Sequence, residues 1–359
     1  MNTYLAVILF TCTFLSSQLY SQNNAAIESI DPSEKGFSKQ KLDSLGDFLE
    51  SAGSHSLLIL ADGKKVYDWG NSGQKILVHS IRKALLNSLY GIYISNGTVD
   101  TTLTLKELQI DDIASLTETE KTATIADLLK SRSGIYHPAA AVSEGMLANM
   151  PKRGTHIPNE HYYYNNWDFN TLGFILEKLT GERLFDLFYR KIAKPIGMDY
   201  ANDIISITDP TDAWAIPNVD GFYQYETNKS QFPAFHFRLS ARDLALYGQL
   251  YLNNGSWNGE QIIPKEWIEV STKPYSITNE AYGIGYGMLW NVLIPNENRN
   301  SKSYYHTGVG IHMLGIYPEA GVVLVHRVDT EQDHTFHKGH FYRMISMVWN
   351  SRVLTEATK

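Results

Sequence analysis

A serine and a lysine, Ser80 and Lys83, stand three residues apart at the start of the apolar segment 81–93. Residues three apart on a helix share a face, and a segment apolar on nearly every side predicts a buried helix. A buried lysine loses its proton readily, so it can act as the base for a serine nucleophile, and the backbone N–H groups at the helix N-terminus can hold an oxyanion. Taken alone, the pattern more readily fits a serine N-cap followed by a lysine that reaches solvent.

A second candidate is Tyr164-x-Asn166, in an aromatic stretch directly before a predicted helix. A phenol becomes a strong base where a nearby cation stabilises the phenolate. Asn166 can orient either a substrate amide or Lys83. The alternative is an aromatic loop packed on the core, with Asp168 or Asn170 capping the helix.

A third candidate is the run His306-Thr307-Gly308-Val309, just before a predicted hairpin. Small residues on a strand allow a ligand to lie alongside its backbone, and the Val309 N–H can act as a second oxyanion donor. The alternative is the start of a strand that carries a loop histidine.

Elements predicted at both chain ends position these residues. An amphipathic helix follows Phe37, with Ser38 as N-cap and Gly53 near its end. Two hairpins are predicted, one around Asp62-Gly63 and one around the turn 318–321, and an amphipathic helix at 341–349 closes the chain. Further helices are predicted at 80–96, 125–131, 170–180 and 241–253.

This order predicts an α+β fold, with an antiparallel sheet built from both chain ends and flanked by helices. We expect a sheet lobe formed by about 37–79 and 236–354, and an inserted, mainly helical lobe at about 80–235. The 359-residue length is consistent with such a division.

Composition excludes several classes of protein. With 31 Lys+Arg against 38 Asp+Glu, the net charge is −7, which gives no basic footprint for nucleic acid. One cysteine excludes a disulfide scaffold and a zinc cluster of thiolates. His334, His337 and His340 could attract a metal, but their three-residue spacing favours a solvated approach to the last helix. We expect neither a metal nor another cofactor.

The N-terminus reads as a secretory signal peptide at 1–21, with an apolar run at 4–15 and cleavage near Ser21. A polar leader at 22–36 follows. Cys12 lies inside the apolar run, which disfavours a lipoprotein anchor. No later segment is apolar enough to span a membrane. We therefore expect an exported protein, periplasmic or secreted.

In this order and with these gaps, the three candidates resemble motifs of the serine β-lactamase and penicillin-binding-protein superfamily, in its class C β-lactamase-like branch. The segments 128–135, 239–245 and 282–287 are also similar to stretches of that branch, although Ser131 stands where it carries a histidine. The similarity covers most of residues 37–354. The resemblance implies a β-lactamase-like fold.

The resemblance also implies roles. Ser80 would be the acylated nucleophile, Lys83 its proton acceptor, and Tyr164 the second member of the base system, which also activates the deacylating water. The implied activity is an exported serine hydrolase that cleaves an ester or amide bond through an acyl-enzyme.

Around the nucleophile, the resemblance implies that Asn166 holds the substrate and that the Ser80 and Val309 amides form the oxyanion hole. Gly308 would keep the strand edge open. His306 stands where many relatives carry a lysine that recognises a substrate carboxylate, and a histidine is charged only below about pH 6.5. This favours ester or amide substrates over antibiotics.

Two alternatives stay open. One is a true β-lactamase or a D-Ala-D-Ala-type peptidase, and the other is a non-catalytic relative that binds peptidoglycan or glycan fragments. For the hydrolase, the expected partner is a small-molecule or peptide/ester substrate. The loops 139–158 and 207–233 would shape its pocket.

Overall fold

A computed structural model describes residues 26–208, 218–297 and 299–353. The predicted signal peptide, the first residues of the leader and residue 354 lie outside these ranges. Within them, no helix combines the length and apolarity needed to cross a bilayer.

The described residues form ten α-helices and fourteen strands. The helices are α1 (Lys39–Ala52), α2 (Arg82–Ser95), α3 (Ile125–Leu129), α4 (Glu144–Asn149), α5 (Asn166–Thr180), α6 (Leu184–Phe188), α7 (Lys194–Ile196), α8 (Ala241–Leu252), α9 (Lys265–Ser271) and α10 (Lys338–Asn350). The strands are β1 (Ser56–Ala61), β2 (Lys64–Gly70), β3 (Ile76–Leu77), β4 (Ile204–Ile207), β5 (Gly221–Gln224), β6 (Ala234–Leu239), β7 (Ser256–Trp257), β8 (Glu260–Gln261), β9 (Ser276–Asn279), β10 (Ile284–Tyr286), β11 (Asn291–Leu293), β12 (Ser303–Gly308), β13 (His312–Tyr317) and β14 (Val322–Arg327).

The largest sheet has eight antiparallel strands in the order β2-β1-β14-β13-β12-β11-β10-β9. The two chain ends meet where β1 pairs with β14 and Ser56 lies opposite Arg327. Asp62 and Gly63 turn the first hairpin with φ values of 46° and 76°, the left-handed conformation that a tight Asp-Gly turn uses. The antiparallel sheet from both chain ends and its two hairpins are therefore confirmed.

Helices cover both faces of this sheet. Side chains of β1 alternate, so Leu58 and Leu60 join one apolar core with α2, α5 and α8, while Leu57 and Ile59 join another with α1 and α10. Helix α1 begins after the predicted N-cap Ser38. The closing helix was predicted at 341–349 and is found in α10. Burial of apolar side chains on both faces fixes the sheet between the two helical layers.

A second sheet, in the order β3-β6-β5-β4, was not predicted. Strands β4 and β5 are parallel and lie inside the stretch expected to be mainly helical. All six residues of β6 are buried. Strand β6 alternates apolar and polar residues from Phe235 to Leu239, but no tight turn joins it to its partners β3 and β5, so the hairpin signal that marks the first sheet is missing here. The chain passes from β3 directly to the turn that carries Ser80.

Helix α5 begins at Asn166, earlier than predicted. The Asn165 side chain caps it by accepting a hydrogen bond from the Trp167 N–H, so neither Asp168 nor Asn170 is the cap. Asn166 thus lies in the first turn of the helix, and Tyr164 precedes the cap by one residue.

Candidate active site

Ser80 lies in a 3-10 turn, His79–Ile81, that leads into α2. His79 has φ of 49°, a left-handed conformation that is unusual for a side chain of this size. Its imidazole is held 2.8 Å from the Thr330 hydroxyl. The chain therefore turns sharply just before Ser80, which remains partly exposed between buried neighbours. Ser80 does not cap α2, so the N-cap alternative is wrong.

Lys83 lies one turn further along and is only 1% exposed, so the alternative in which it reaches solvent is also wrong. Its Nζ is 3.0 Å from Ser80 Oγ. The amine lies 4.8 Å from the ring centroids of both Tyr164 and Phe169. Burial, followed by the nearby charge of Arg82, lowers the pKa of Lys83 well below its ordinary value. A neutral amine at hydrogen-bond distance can accept the serine proton.

Tyr164 is a further partner of Ser80, because their side chains share a hydrogen bond. Burial raises the pKa of the Tyr164 phenol, and this effect outweighs the opposing hydrogen bond with Ser80 and the charge of Arg82. The phenol is therefore protonated in the resting site. With its pKa lowered, Lys83 can serve as a base, and the Tyr164 phenol can donate a proton to a group that binds at Ser80.

Asn166 is buried, and its Nδ2 donates to the carbonyl oxygen of Ala141. Its Oδ1 has no hydrogen-bond partner among the described residues. The sequence left open whether Asn166 orients Lys83 or a substrate. In the structure, the side chain contacts the 139–141 loop instead of the lysine, and it leaves one buried acceptor free.

Strand β12 also packs against the serine turn. His306 is fully buried on it, and its Nδ1–H donates to the Thr307 carbonyl 2.9 Å away. Its Nε2 has no partner among the described residues. Burial, assisted by Lys83, lowers the pKa of His306 to about 3. A neutral imidazole offers no charge to a substrate carboxylate.

Gly308 and Val309 follow at the end of β12. A Cβ added to Gly308 would lie 2.8 Å from the Val78 carbonyl oxygen, so the serine turn packs directly on the bare strand. Val309 begins the following turn and is 53% exposed. Neither its backbone N–H nor that of Ser80 donates to another described residue. Both amides are thus available to a substrate oxygen.

Two residues that carry no candidate chemistry hold the Tyr164 segment in place. Ser131, with φ of 56°, donates to the Tyr163 carbonyl over 2.6 Å and accepts from the Asn165 N–H. Ser133 donates to the buried Asp168 carboxyl over 2.6 Å. In the sequence, the only sign of this was that Ser131 stands where the class C β-lactamase-like branch carries a histidine. The structure gives that serine a positioning role.

The histidine cluster lies apart from these contacts. His337 caps α10 by accepting from the Gly339 N–H, and its ring stacks on that of His340 at 3.6 Å. Among the described residues, no group of three or more His, Cys, Asp or Glu side chains has the geometry to hold a metal ion.

Fold and site together define a β-lactamase-like serine hydrolase. The sequence profile of the Beta-lactamase family matches residues 53–346, so the chain belongs to this family.

Several known proteins are similar to this chain. A relative from Escherichia coli O157:H7, named "Putative D-alanyl-D-alanine carboxypeptidase", is 23% identical over 373 positions that cover 85% of each chain. The structure named "Putative 6-aminohexanoate-dimer hydrolase from Bacillus anthracis" aligns with a TM-score of 0.64 at 20% identity, covering 90% of this chain and 87% of that one. A family VIII carboxylesterase aligns with a TM-score of 0.61 at 16% identity, covering 87% and 97%. At these identities, the structural likeness establishes the fold alone.

Proposed function

We propose that the protein is an exported serine hydrolase that cleaves an ester or amide bond through an acyl-enzyme on Ser80. One observation carries the proposal: the buried amine of Lys83 lies 3.0 Å from Ser80 Oγ, in surroundings that lower the pKa of the amine. A serine with a neutral amine at this distance is an activated nucleophile. This also opposes the non-catalytic alternative, which has no use for a buried lysine.

In acylation, Ser80 Oγ forms a bond to the substrate carbonyl carbon and its proton passes to Lys83. The carbonyl oxygen, now an anion, accepts hydrogen bonds from the Ser80 and Val309 amides. When the bond to the leaving group breaks, that group takes a proton from the Tyr164 phenol, and Lys83 returns its proton to the phenolate. Water then releases the acyl group by the reverse sequence of transfers.

The neutral His306 supports an ester or amide substrate without a carboxylate at this position, because no charge is available on that side chain. The names of the carboxylesterase and the aminohexanoate-dimer hydrolase fit this substrate class. A D-Ala-D-Ala-type peptidase is the second candidate, favoured by the name of the Escherichia coli relative. Asn166 Oδ1 and His306 Nε2 have no hydrogen-bond partner among the described residues. Both atoms are acceptors, so they suit a substrate that donates N–H groups.

Export is part of the proposal and rests on the apolar run at 4–15. Expression of the full chain followed by mass spectrometry of the mature N-terminus tests it. We expect the protein outside the cytoplasm, starting near Gln22. An intact N-terminus on a protein retained in the cytoplasm would overturn this part of the proposal.

The activity is tested with three substrates in parallel: p-nitrophenyl acetate, nitrocefin and a D-Ala-D-Ala peptide. We expect turnover of the ester, and labelling of Ser80 by a fluorophosphonate. Ser80→Ala should abolish both turnover and labelling. Ser95→Ala is the matched control, because Ser95 is exposed at the end of the same helix. An unchanged rate in Ser80→Ala would end the mechanism, and preferential turnover of the peptide would select the second candidate.

A further inference from the structure

Arg82, between the nucleophile and its base, is a buried cation that the mechanism does not use. The side chain is 2% exposed, as deeply buried as Lys83 beside it. Its Nη2 donates to Asn170 Oδ1 over 3.1 Å, and its guanidinium lies 4.4 Å from the centroid of the Phe235 ring. Nη1 is buried without a hydrogen-bond partner. In the part of the chain that the structure describes, no carboxylate pairs with Arg82.

Such an arrangement is costly for stability. A buried charge normally requires an opposite charge and a full set of hydrogen bonds, and Arg82 has neither. An arginine also cannot relieve the cost by losing its proton. A purely structural role would be filled at lower cost by an apolar side chain in contact with Phe235. The charge itself therefore needs an explanation.

The neighbouring titratable groups contribute no opposing charge. Tyr164 faces the Arg82–Lys83 pair from the segment before α5, His306 from β12, His79 from the serine turn and His236 from β6. Burial lowers the pKa of each of these histidines and raises the pKa of the tyrosine, so all four are neutral near pH 7. Arg82 thus supplies a fixed positive charge to a site in which everything else is neutral.

We propose that Arg82 is an electrostatic positioning residue, whose uncompensated charge keeps Lys83 in the unprotonated form that accepts the Ser80 proton. The inference rests on the proposed function, since it assigns a cause to the basicity that the mechanism needs. Protonation of Lys83 would create two adjacent buried cations, which Coulomb repulsion opposes. Burial acts in the same direction, so removal of Arg82 weakens the effect without abolishing it.

Two variants test the charge by different routes. Arg82→Met removes the cation and keeps most of the side-chain volume, whereas Asn170→Asp keeps the cation and places a carboxylate next to it. Asn170→Ala is the matched control, because it removes the hydrogen bond to Arg82 without adding charge. The readout is the pH dependence of kcat/KM for p-nitrophenyl acetate and of Ser80 labelling by a fluorophosphonate.

In both test variants, protonation of Lys83 becomes easier, so the acid limb of each profile should move to higher pH. Removal or addition of one nearby unit charge, in an effective dielectric near 20, corresponds to a shift on the order of one pH unit. On the acid side of the limb the rate should then fall by up to about tenfold, and on the alkaline side it should recover. In Asn170→Ala, the acid limb should keep its position even if the rate falls at every pH.

A limb that stays in place in a folded Arg82→Met or Asn170→Asp protein would overturn the inference and leave Arg82 a packing residue. If Arg82→Met does not fold, Asn170→Asp decides. Failure of the proposed function is distinguishable, because wild-type Ser80 would then resist labelling at every pH. If Ser80 is labelled but the acid limb of the pH profile does not move, only the role of Arg82 is disproved.

Discussion

At the scale of single residues, one physical effect acts on both partners of Ser80. Burial disfavours every charged form, so it lowers the pKa of the Lys83 amine and raises the pKa of the Tyr164 phenol. The same buried surroundings thereby favour an unprotonated amine and a protonated phenol next to one hydroxyl. Because these groups exchange protons, the pH–rate curve belongs to the coupled set and not to one residue.

Removal of either partner should abolish most of the activity. We expect Lys83→Ala to lower kcat/KM by about 10⁴-fold and Tyr164→Phe by about 10²- to 10³-fold, the range found for general acid–base groups. Tyr164→Phe keeps the ring that packs 4.8 Å from the lysine amine and removes only the hydroxyl. Steady-state rates with p-nitrophenyl acetate measure both effects.

Tyr162→Phe is the matched control for Tyr164→Phe. Tyr162 belongs to the same segment, and its ring packs 5.0 Å from that of Tyr286, so its hydroxyl is not expected to take part in the chemistry. The control should retain activity close to that of the wild type. Equal rates for the two tyrosine variants would contradict the assignment of Tyr164.

Residue types and spacing marked Ser80, Lys83 and Tyr164 as candidates, and the resemblance of the three motifs together to a known superfamily assigned their roles. They did not point to Ser131, whose partners, the Tyr163 carbonyl and the Asn165 N–H, are backbone groups more than thirty residues away. Hydrogen bonds of this kind depend on how the chain folds back, and no local pattern encodes them.

At the scale of elements, the cleft depends on how closely the serine turn docks on β12. Gly308 permits this contact, since its missing Cβ would lie 2.8 Å from the Val78 carbonyl oxygen and 3.0 Å from the Cβ of His79. Neither neighbour is the flexible end of a side chain. The distance between the Ser80 and Val309 amides is therefore set by two pieces of backbone in contact.

Gly308→Ala should force that contact apart. We expect kcat/KM to fall about 10²-fold, since a displacement of about 1 Å in a catalytic constellation has an effect of this size. Gly145→Ala in α4 is the control, because nothing lies within 4 Å of its added Cβ. Kinetics and thermal unfolding measure both variants. Wild-type kinetics in Gly308→Ala would show that the amide spacing does not depend on this contact.

Turn and cap residues in the sequence predicted the hairpins and helices in which they lie. Asp62-Gly63 marks a hairpin because both residues tolerate left-handed backbone, and Ser38 and Gly53 mark the ends of α1. The second sheet has no such signal, because β3, β4 and β5 are only two to four residues long and no tight turn joins its paired strands. The start of α5 was misplaced because several Asn and Asp residues in succession could each have been the cap.

At the scale of the whole molecule, strands predicted at both termini were enough to expect one sheet joining the chain ends. Their order was not predictable, because the pairing of β1 with β14 closes a loop of more than two hundred and fifty residues. Only the packing of α1 and α10 on one face and of α8 on the other decides that arrangement.

The fold also buries several histidines, which makes the free energy of unfolding depend on pH. Burial lowers the pKa of His79, His306 and His326 to about 3, from an ordinary value of 6.5. The unfolded chain therefore binds more protons between these values. The contribution of these neutral imidazoles to the free energy of unfolding is fully present above pH 6.5 and is lost as the pH falls toward 3.

We expect the free energy of unfolding to fall by about 1.4 kcal/mol per pH unit for each of these histidines, once the pH is well below 6.5. Urea unfolding at pH 7.5, 6.0, 5.0 and 4.5 measures the slope. His326→Gln should remove the contribution of one histidine from this slope, because His326 packs against Phe336 inside the core that α1 and α10 cover. His334→Gln, at an exposed position, is the matched control. Unfolding that is independent of pH between 6.5 and 4.5 would mean that these imidazoles reach solvent in the folded protein.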